Sequence, residues 1–490
     1  MTLTVILAPA IAGLISFFIA ADWPRRGLLV AASGAHIVIV AGAWIVAEPA
    51  GKYIGLDSIG LFFLTITSAL FFAAAIYGVG YLDREDKSHR RDFEEDHHFA
   101  NQPERWFTGS MLLFLAAMSL VAASQHVGLL WIGVEATTLS SAPMIYFHRH
   151  HRSLEAMWKY LLICSVGIAL ALLGTFFIAS ASVMADGESA SLTLSELAAR
   201  ASGYNPAWLK VAFIFLFVGY GTKMGLAPFH TWLPDAHGES PSVVSALLSG
   251  ALLNCAFVGI LRGYQILLGA GLGDFAREIF TGFGLVSMLV AAIFIINQKD
   301  FKRMLAYSSV EHMGIMSLAV GIGGAGAFGA ALHAVSHSLV KASLFMLAGN
   351  ILTVYKTKNV PSVTGAIRAL PVSGALWMAG IMAITGAPPF GTFVSEFTIL
   401  KAALGAEKWI VAAIYLVLLA VIFVGMASAA ASMSYGAPSP SGSTAGHAEP
   451  KVSYMPPMAL LAAALVIGVY IPGPLLAALN NVARTLGGGL

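Results

Sequence analysis

The sequence predicts an all-α polytopic membrane protein with about 14 transmembrane helices, since each crossing needs roughly 20 mainly apolar residues. Three observations carry that prediction. Of 490 residues, 58% are hydrophobic and only 11% charged, where an ordinary soluble domain is roughly 25% charged; the mean hydropathy is +0.80. Apolar stretches of spanning length recur along the whole chain. The lysines and arginines between them segregate to alternate sides.

The spans are expected near 3–21, 26–47, 58–82, 107–124, 127–147, 156–183, 208–229, 242–266, 277–297, 303–322, 326–355, 371–402, 408–435 and 453–477. The first, in MTLTVILAPAIAGLISFFIAADWPRR, has no basic residue ahead of its apolar run, so it reads as a membrane helix rather than a cleaved signal. Of the 27 lysines and arginines, seventeen, including Arg25, Arg26, Arg84, Arg105, Lys299, Lys302, Arg303 and Lys451, fall on one side. Eight, including Lys52, Arg262, Arg277 and Lys401, fall on the other. The richer side is cytoplasmic. With an even number of spans, both termini then face away from the cytoplasm.

Other classes find little support. A net charge of +2 points to no polyanionic partner, and nothing suggests nucleic-acid binding. Cys164 and Cys255 lie singly in apolar segments with no C-x-x-C, so the chain shows no cysteine pattern for an iron–sulfur cluster, a nickel site or a disulfide framework. Residues 83–106 (DREDKSHRRDFEEDHHFANQPERW) form a mixed-charge cytoplasmic loop. His97 and His98 beside Glu94, Glu95 and Asp96 are metal-ligating residue types, but a solvated or partner-facing loop is the plainer reading. With the 148–152 run HRHHR, this loop is expected to help dock neighbouring subunits. Residues 436–451 read as a flexible linker.

Pro228-Phe229-His230-Thr231-Trp232 matches Pro389-Phe390-Gly391-Thr392-Phe393 at an offset of 161 residues. Each copy interrupts a long apolar segment, with Pro228 in one and Pro388-Pro389 in the other. Paired Gly/Pro-broken helices in two halves point to a transporter built from inverted repeats. The chain then divides into 1–106 (three helices and the loop), 107–266 and 277–435 (two five-helix repeats), and 436–490 (the linker and helix fourteen).

Charges inside the spans are the functional clue, because a charged lysine at a helix centre costs about 2.5–3.5 kcal/mol on insertion scales. Lys223 lies in VAFIFLFVGYGTKMGLAPF and Lys341 in ALHAVSHSLVKASLFMLAG. Glu135 is the one acidic residue of its helix, and with Lys223 it forms a candidate pair. A carboxylate and a lysine hold each other charged in a low dielectric, and separating them frees the lysine to release its proton; a static ion pair pinning two helices is the structural alternative. His333, His337 and Lys341 recur every four residues on one helix face, about 6 Å per step, a ladder able to pass protons. A pair of histidines four apart also suits a metal, but HSLVK supplies no third ligand nearby, and polar packing between helices would suffice. Glu396 follows the second broken helix and is the natural terminus of the second half on the non-cytoplasmic side, with Lys401 further along. Tyr307, Ser308, Ser309, Glu311 and His312 cluster near a helix start, Glu311 and His312 as relay or hydrogen-bonding groups. Lys299, Lys302 and Arg303 beside them read as interfacial anchors.

These segments resemble the antiporter-like subunits of respiratory complex I, including the chain M type of NADH:quinone oxidoreductase, and of Mrp-type antiporters and membrane-bound hydrogenases. The resemblance rests on the Glu135 helix, GTKMGLAPFHTWLPDAHGESPSVVSALLSG (221–250), FKRMLAYSSVEHMG (301–314), HAVSHSLVKASLFMLAG (333–349) and GAPPFGTFVSEF (386–397). VEATTL and SSVEHMGI are most similar to the hydrogenase-4 component F group of group 4 nickel–iron hydrogenase complexes of the formate hydrogenlyase type. The resemblance implies fourteen helices, inverted five-helix repeats, broken helices seven and twelve, and a polar axis along the membrane plane. It makes Glu135 and Lys223 the input half-channel, His333, His337 and Lys341 the helix-eleven connection, and Glu396 the output, with His230, Glu311, His312 and Lys401 as further axis candidates. Aligning GILR at 259–262 puts Asn254 where proton-pumping relatives carry a lysine or histidine, and asparagine cannot titrate.

The implied role is a proton-translocating subunit with no redox centre of its own, in a prokaryotic cytoplasmic (inner) membrane. The nickel–iron centre and iron–sulfur clusters belong in peripheral hydrogenase and electron-transfer partners on the cytoplasmic side, and other antiporter-like and small membrane subunits flank the chain. The alternatives are the equivalent subunit of NADH:quinone oxidoreductase, an Mrp-like cation/proton antiporter subunit, or a non-conducting scaffold. The chain is also expected to lack the long lateral helix of the most distal complex I subunit.

Overall fold

In the computed structural model the described residues are 1–46, 51–85, 90, 91, 98–186, 191–439 and 449–488. The first part of the chain forms α1 (Thr2–Phe18), α2 (Asp22–Ile45) and α3 (Ser58–Arg84), then a two-residue pair of strands, β1 (Arg90–Arg91) and β2 (His98–Phe99). There follow α4 (Glu104–Ala123), α5 (Val127–Ile145), α6 (His151–Asp186), the short α7 (Leu194–Arg200), α8 (Pro206–Met224), α9 (Trp232–Glu239), α10 (Ser242–Leu247) and α11 (Leu253–Gly269). Next come α12 (Gly273–Ile295), α13 (Phe301–Ile322), α14 (Ala325–Tyr355), the single turn α15 (Ala366–Ala369), α16 (Pro371–Ile384), α17 (Gly391–Gly405) and α18 (Trp409–Ser434). α19 (Lys451–Val469) and α20 (Gly473–Thr485) follow.

Ten of these segments are long and apolar enough to cross a membrane, α10 and α11 counting as one. The shorter apolar helices α1 and α16, the latter continued by α17, and the span-length helices α5 and α13 bring the number to the fourteen expected. α20 was not foreseen. It is too short to span and buries only one face, including Ala478, Leu479, Val482 and Ala483, against α14 and α3. The acidic residues Glu94, Glu95 and Asp96 with His97, and linker residues 440–448, lie outside the described residues.

Helix starts follow local chemistry. Asn205 accepts the Ala207 N–H at 2.9 Å and Pro206 opens α8, where its missing N–H costs nothing. Asp300 accepts the N–H groups of Lys302 and Arg303 at 2.7 and 3.1 Å to start α13. α6 packs along α8 and α12 along α13. Both contacts are close because glycines face each other: a Cβ on Gly219 would sit 2.5 Å from the Gly167 carbonyl oxygen, and one on Gly284 2.8 Å from that of Gly314.

The two breaks repeat bond for bond. Gly225 and Gly386 both adopt positive φ, +83° and +72°. Leu226 N–H bonds Gly221 O at 2.9 Å, and 161 residues later Ala387 N–H bonds Met382 O at 2.9 Å; Phe229 N–H to Leu226 O is matched by Phe390 N–H to Ala387 O. The Ala227–Pro228 and Pro388–Pro389 bonds are both cis. A proline cannot continue the helical ladder, so carbonyls before each break need other donors. Trp232 Nε1 takes Thr222 O at 2.8 Å, and the Thr392 hydroxyl takes Ala383 O. α9 ends at Glu239 against Lys358 and Lys302, on the side from which the chain runs through Val360, bonded to Lys299 O, into α15 and the start of α16.

α14 is the central element. It packs against α13, α16, α17, α19, α10, α3 and α20, and almost every side chain from Gly326 to Ile351 is buried.

Candidate functional site

Lys223 is fully buried at the end of α8. Its ammonium does not touch Glu135 directly. Lys223 Nζ donates to Thr138 Oγ1 at 2.9 Å and to Tyr160 OH at 2.5 Å. It also lies 4.3 Å from the centroid of the Tyr160 ring and 5.9 Å from that of Trp232, a cation–π setting that offsets part of its desolvation. Half-buried Glu135 accepts from Ser165 Oγ at 2.9 Å through Oε1 and from Thr138 Oγ1 at 3.3 Å through Oε2. The expected pair is therefore brought together through one hydroxyl, with Thr138 one helical turn beyond Glu135 on α5.

α11 carries the next contact. Asn254 on α11 donates from Nδ2 to Ser338 Oγ on α14 at 2.8 Å and to Gly250 O at 3.0 Å. A π-helical turn, Leu248–Leu252, immediately precedes it, and within that turn Ser249 bonds Ser309 of α13 at 2.8 Å. Such turns inside helices are frequent at functional sites.

On α14, Lys341 Nζ donates to Leu305 O at 2.6 Å. The histidine ladder is wider than the α14 sequence alone showed, because His312 of α13 enters it. His312 Nδ1 lies 2.8 Å from His333 Nε2, and His333 Nδ1 lies 2.9 Å from Ser395 Oγ on α17. The His312 ring stands 5.0 Å from both the His333 and the His337 rings, which are 6.4 Å apart. Glu311 accepts from Ser308 at 3.4 Å, and its Oε2 is 3.9 Å from His312 Nε2. Glu396, next to Ser395, is buried with Oε1 unpaired, as are both nitrogens of His337 and Nε2 of His312. Burying a polar group without a protein partner costs about 1–3 kcal/mol, which singles these groups out within the apolar bundle.

One ligand atom from each of His312, His333 and Glu396 lies within 4.8 Å of the others. His337 of HSLVK is not among them: one donor comes from α14 and the other two from α13 and α17. His312 and His333 already spend a nitrogen each on one another, which favours a hydrogen-bonded relay over a ligand set.

The remaining candidates scatter. His230 is buried at the first break, 6.2 Å from the Tyr307 ring. Lys401 is exposed on α17, apart from the buried chain. Lys302 corrects the sequence reading: it is no interfacial anchor but fully enclosed, donating to Ser240 O at 2.6 Å and Gly238 O at 3.3 Å where α9 ends. An ammonium at a helix C-terminus satisfies carbonyls that have no helical partner. Lys358 joins it through Glu239 at 2.9 Å, while Asp235 pairs with Lys159 at 2.9 Å and Arg303 at 2.8 Å. Thr138, Tyr160, Ser165, Ser338 and Ser395 were missed. Only Thr138 had a sequence cue, its three-residue spacing from Glu135. His237, buried and stacked 4.8 Å from Phe345, was missed too.

A fourteen-span bundle with two oppositely directed broken helices and a buried chain of lysine, histidine and glutamate defines an antiporter-like membrane subunit. Residues 124–422 match the family described as NADH:quinone oxidoreductase/Mrp antiporter, transmembrane. The chain belongs to that family. It is 37% identical over 430 residues to a hydrogenase-4 component F homolog of Methylacidiphilum infernorum, covering 87% of each chain. Two solved structures share its fold. A chain of the membrane-bound sulfane sulfur reductase, an archaeal respiratory membrane complex, superposes with a TM-score of 0.86 at 20% identity, covering 99% of this chain and 97% of that one. A chain of respiratory complex I from Thermus thermophilus gives 0.78 at 23% identity, covering 98% and 99%.

Proposed function

We propose that this chain translocates protons as the antiporter-like membrane subunit of a multi-subunit, respiratory-type hydrogenase complex resembling formate hydrogenlyase. The observation that carries the reading is the intramembrane titratable series: half-buried Glu135 and buried Lys223 in one repeat, then the buried Lys341, His337, His312, His333 and Glu396 in the other. A soluble-type core has no use for so many desolvated ionisable groups, and within a membrane such groups mark ion and proton paths. The hydrogenase assignment is supported by the relative that is 37% identical over 87% of both chains.

In this reading 107–266 and 277–435 are the two half-units, with a polar seam at Asn254 and Ser338. The nickel–iron centre and iron–sulfur clusters sit in peripheral partners on the basic, cytoplasmic face, and both termini lie on the opposite face. Redox chemistry in those partners changes the Glu135–Lys223 relationship and drives protons toward Lys341 and Glu396.

The test is purification of the tagged complex in mild detergent, identification of its subunits, and reconstitution into vesicles. A nickel–iron large subunit with ferredoxin-like chains is expected. Flavin- and NADH-binding subunits would move the chain to complex I, and small Mrp-type membrane subunits alone would make it an antiporter. Lys223→Ala should abolish redox-driven proton translocation with assembly intact; unchanged pumping would overturn the relay.

A further inference from the structure

We infer that the Thr138 hydroxyl carries the proton between Lys223 and Glu135. The inference rests on the proposed function and adds a residue to it.

Lys223 Nζ has two hydroxyl partners, and they lead to different ends. Tyr160 OH lies 2.6 Å from Ser141 Oγ. Ser141 in turn donates to Thr137 O at 2.6 Å, so the Tyr160 hydroxyl hydrogen points to Ser141. That branch stops at a backbone carbonyl, which takes no proton. Thr138 differs. Its oxygen accepts from Lys223 at 2.9 Å, and its hydroxyl donates to Glu135 Oε2 at 3.3 Å; the backbone acceptor Val134 O is further away at 3.5 Å, and the neighbouring Tyr160 hydroxyl already accepts from Lys223.

A hydroxyl that accepts on one side and donates on the other passes a proton without being consumed. The N–H bond of the Lys223 ammonium breaks as a new O–H bond forms on Thr138. The original Thr138 O–H bond breaks as one forms on Glu135 Oε2. Lysine ends as a neutral amine, glutamate as a neutral acid, and threonine unchanged; the reverse step restores both charges. No oxidant or co-reactant is needed. The geometry is held on three sides: Ser165 fixes the other Glu135 oxygen, Tyr160 and Trp232 flank the ammonium, and Thr138 is fully buried.

The experiment compares Thr138→Ser and Thr138→Val in the purified complex in proteoliposomes, reading proton uptake with an entrapped pH dye and redox turnover in the same vesicles. Valine keeps the shape and loses the hydroxyl. Translocation per turnover is expected to fall roughly 100-fold with Thr138→Val, the low end for removing a proton-transferring group, and to stay within about twofold of wild type with Thr138→Ser. Infrared difference spectra give a second readout: the carboxyl C=O band that Glu135→Gln removes should persist with serine and vanish with valine. Should Thr138→Val not assemble, Thr138→Ala carries the same readouts. Wild-type pumping by the valine or alanine variant, or failure of serine to rescue, overturns the assignment. Lys223→Ala separates the two levels: if it pumps normally the proposed function fails, and if it is dead while Thr138→Val pumps, only the Thr138 inference fails.

Discussion

Asn254 and Ser338 are joined by a 2.8 Å hydrogen bond that makes a polar seam between α11 and α14. Neither residue titrates, yet Lys223 lies on one side of the seam and Lys341 on the other. The Asn254 Oδ1 atom is buried and unpaired, so the seam has an acceptor to spare. Asn254→Lys is expected to raise the number of protons moved per redox turnover in reconstituted vesicles, at an overpacking cost of about 1–3 kcal/mol. An unchanged ratio would place the limiting step elsewhere along the chain of groups.

Lys302 closes the end of α9 by its bonds to the Ser240 and Gly238 carbonyls. Lys302→Met keeps most of the side-chain volume and removes the donor. The variant should lose about 1–3 kcal/mol, the penalty for carbonyls left unpaired in a buried place. Thermal unfolding of the detergent-solubilised complex, followed by loss of this subunit, measures it; an unaltered midpoint would mean Lys358 compensates.

Asp57 and Arg262 clamp the start of α3 to α11 by two bonds of 2.6 Å. Burial by itself would push the Asp57 carboxyl up, but the hydrogen bonds and charge of Arg262 outweigh it and hold it below the usual carboxylate value. A lowered folded-state value means the clamp contributes fully above the unfolded value of about 3.9 and is lost as pH falls through the folded one. Asp57→Asn should therefore lower the unfolding midpoint at pH 7. The difference from wild type should shrink below about pH 4. Removing one partner costs roughly 2 kcal/mol here, less than a fully buried pair, because Asp57 is partly exposed.

Gly386 holds positive φ, and a Cβ there would fall 2.0 Å from Glu396 Oε2. Gly386→Ala should displace the Glu396 carboxylate as well as strain the break, by about 1–3 kcal/mol. Gly225→Ala at the equivalent place meets the Leu233 side chain at 2.5 Å instead. The first variant should lose more translocation per turnover for the same loss of stability; equal losses would show that Glu396 position is not critical.

Fourteen spans, the two breaks and most buried ionisable groups were legible because each is a local property. An apolar run of about 20 residues must span, a Gly/Pro pair must interrupt a helix, and a lysine within such a run stands out against its surroundings. The offset of 161 residues already linked Pro228 to Pro389, and the matched bonds around Gly225 and Gly386 are the same regularity seen in three dimensions.

What lies between the ionisable groups was decided only by tertiary packing. Thr138 has only its spacing from Glu135, and Tyr160, Ser338 and Ser395 are ordinary residues in apolar helices with nothing at their own positions to mark them. Their roles come from partners 85, 63, 84 and 62 residues away in the chain. Lys302 shows the converse: its place at a helix start suggested the membrane surface, but the end of α9 folds over it and supplies two carbonyls. The sequence by itself determined which groups can hold a proton, because that is side-chain chemistry. Only the folded helices decided which of them touch, because a hydrogen bond depends on separations near 3 Å that no spacing along the chain can set.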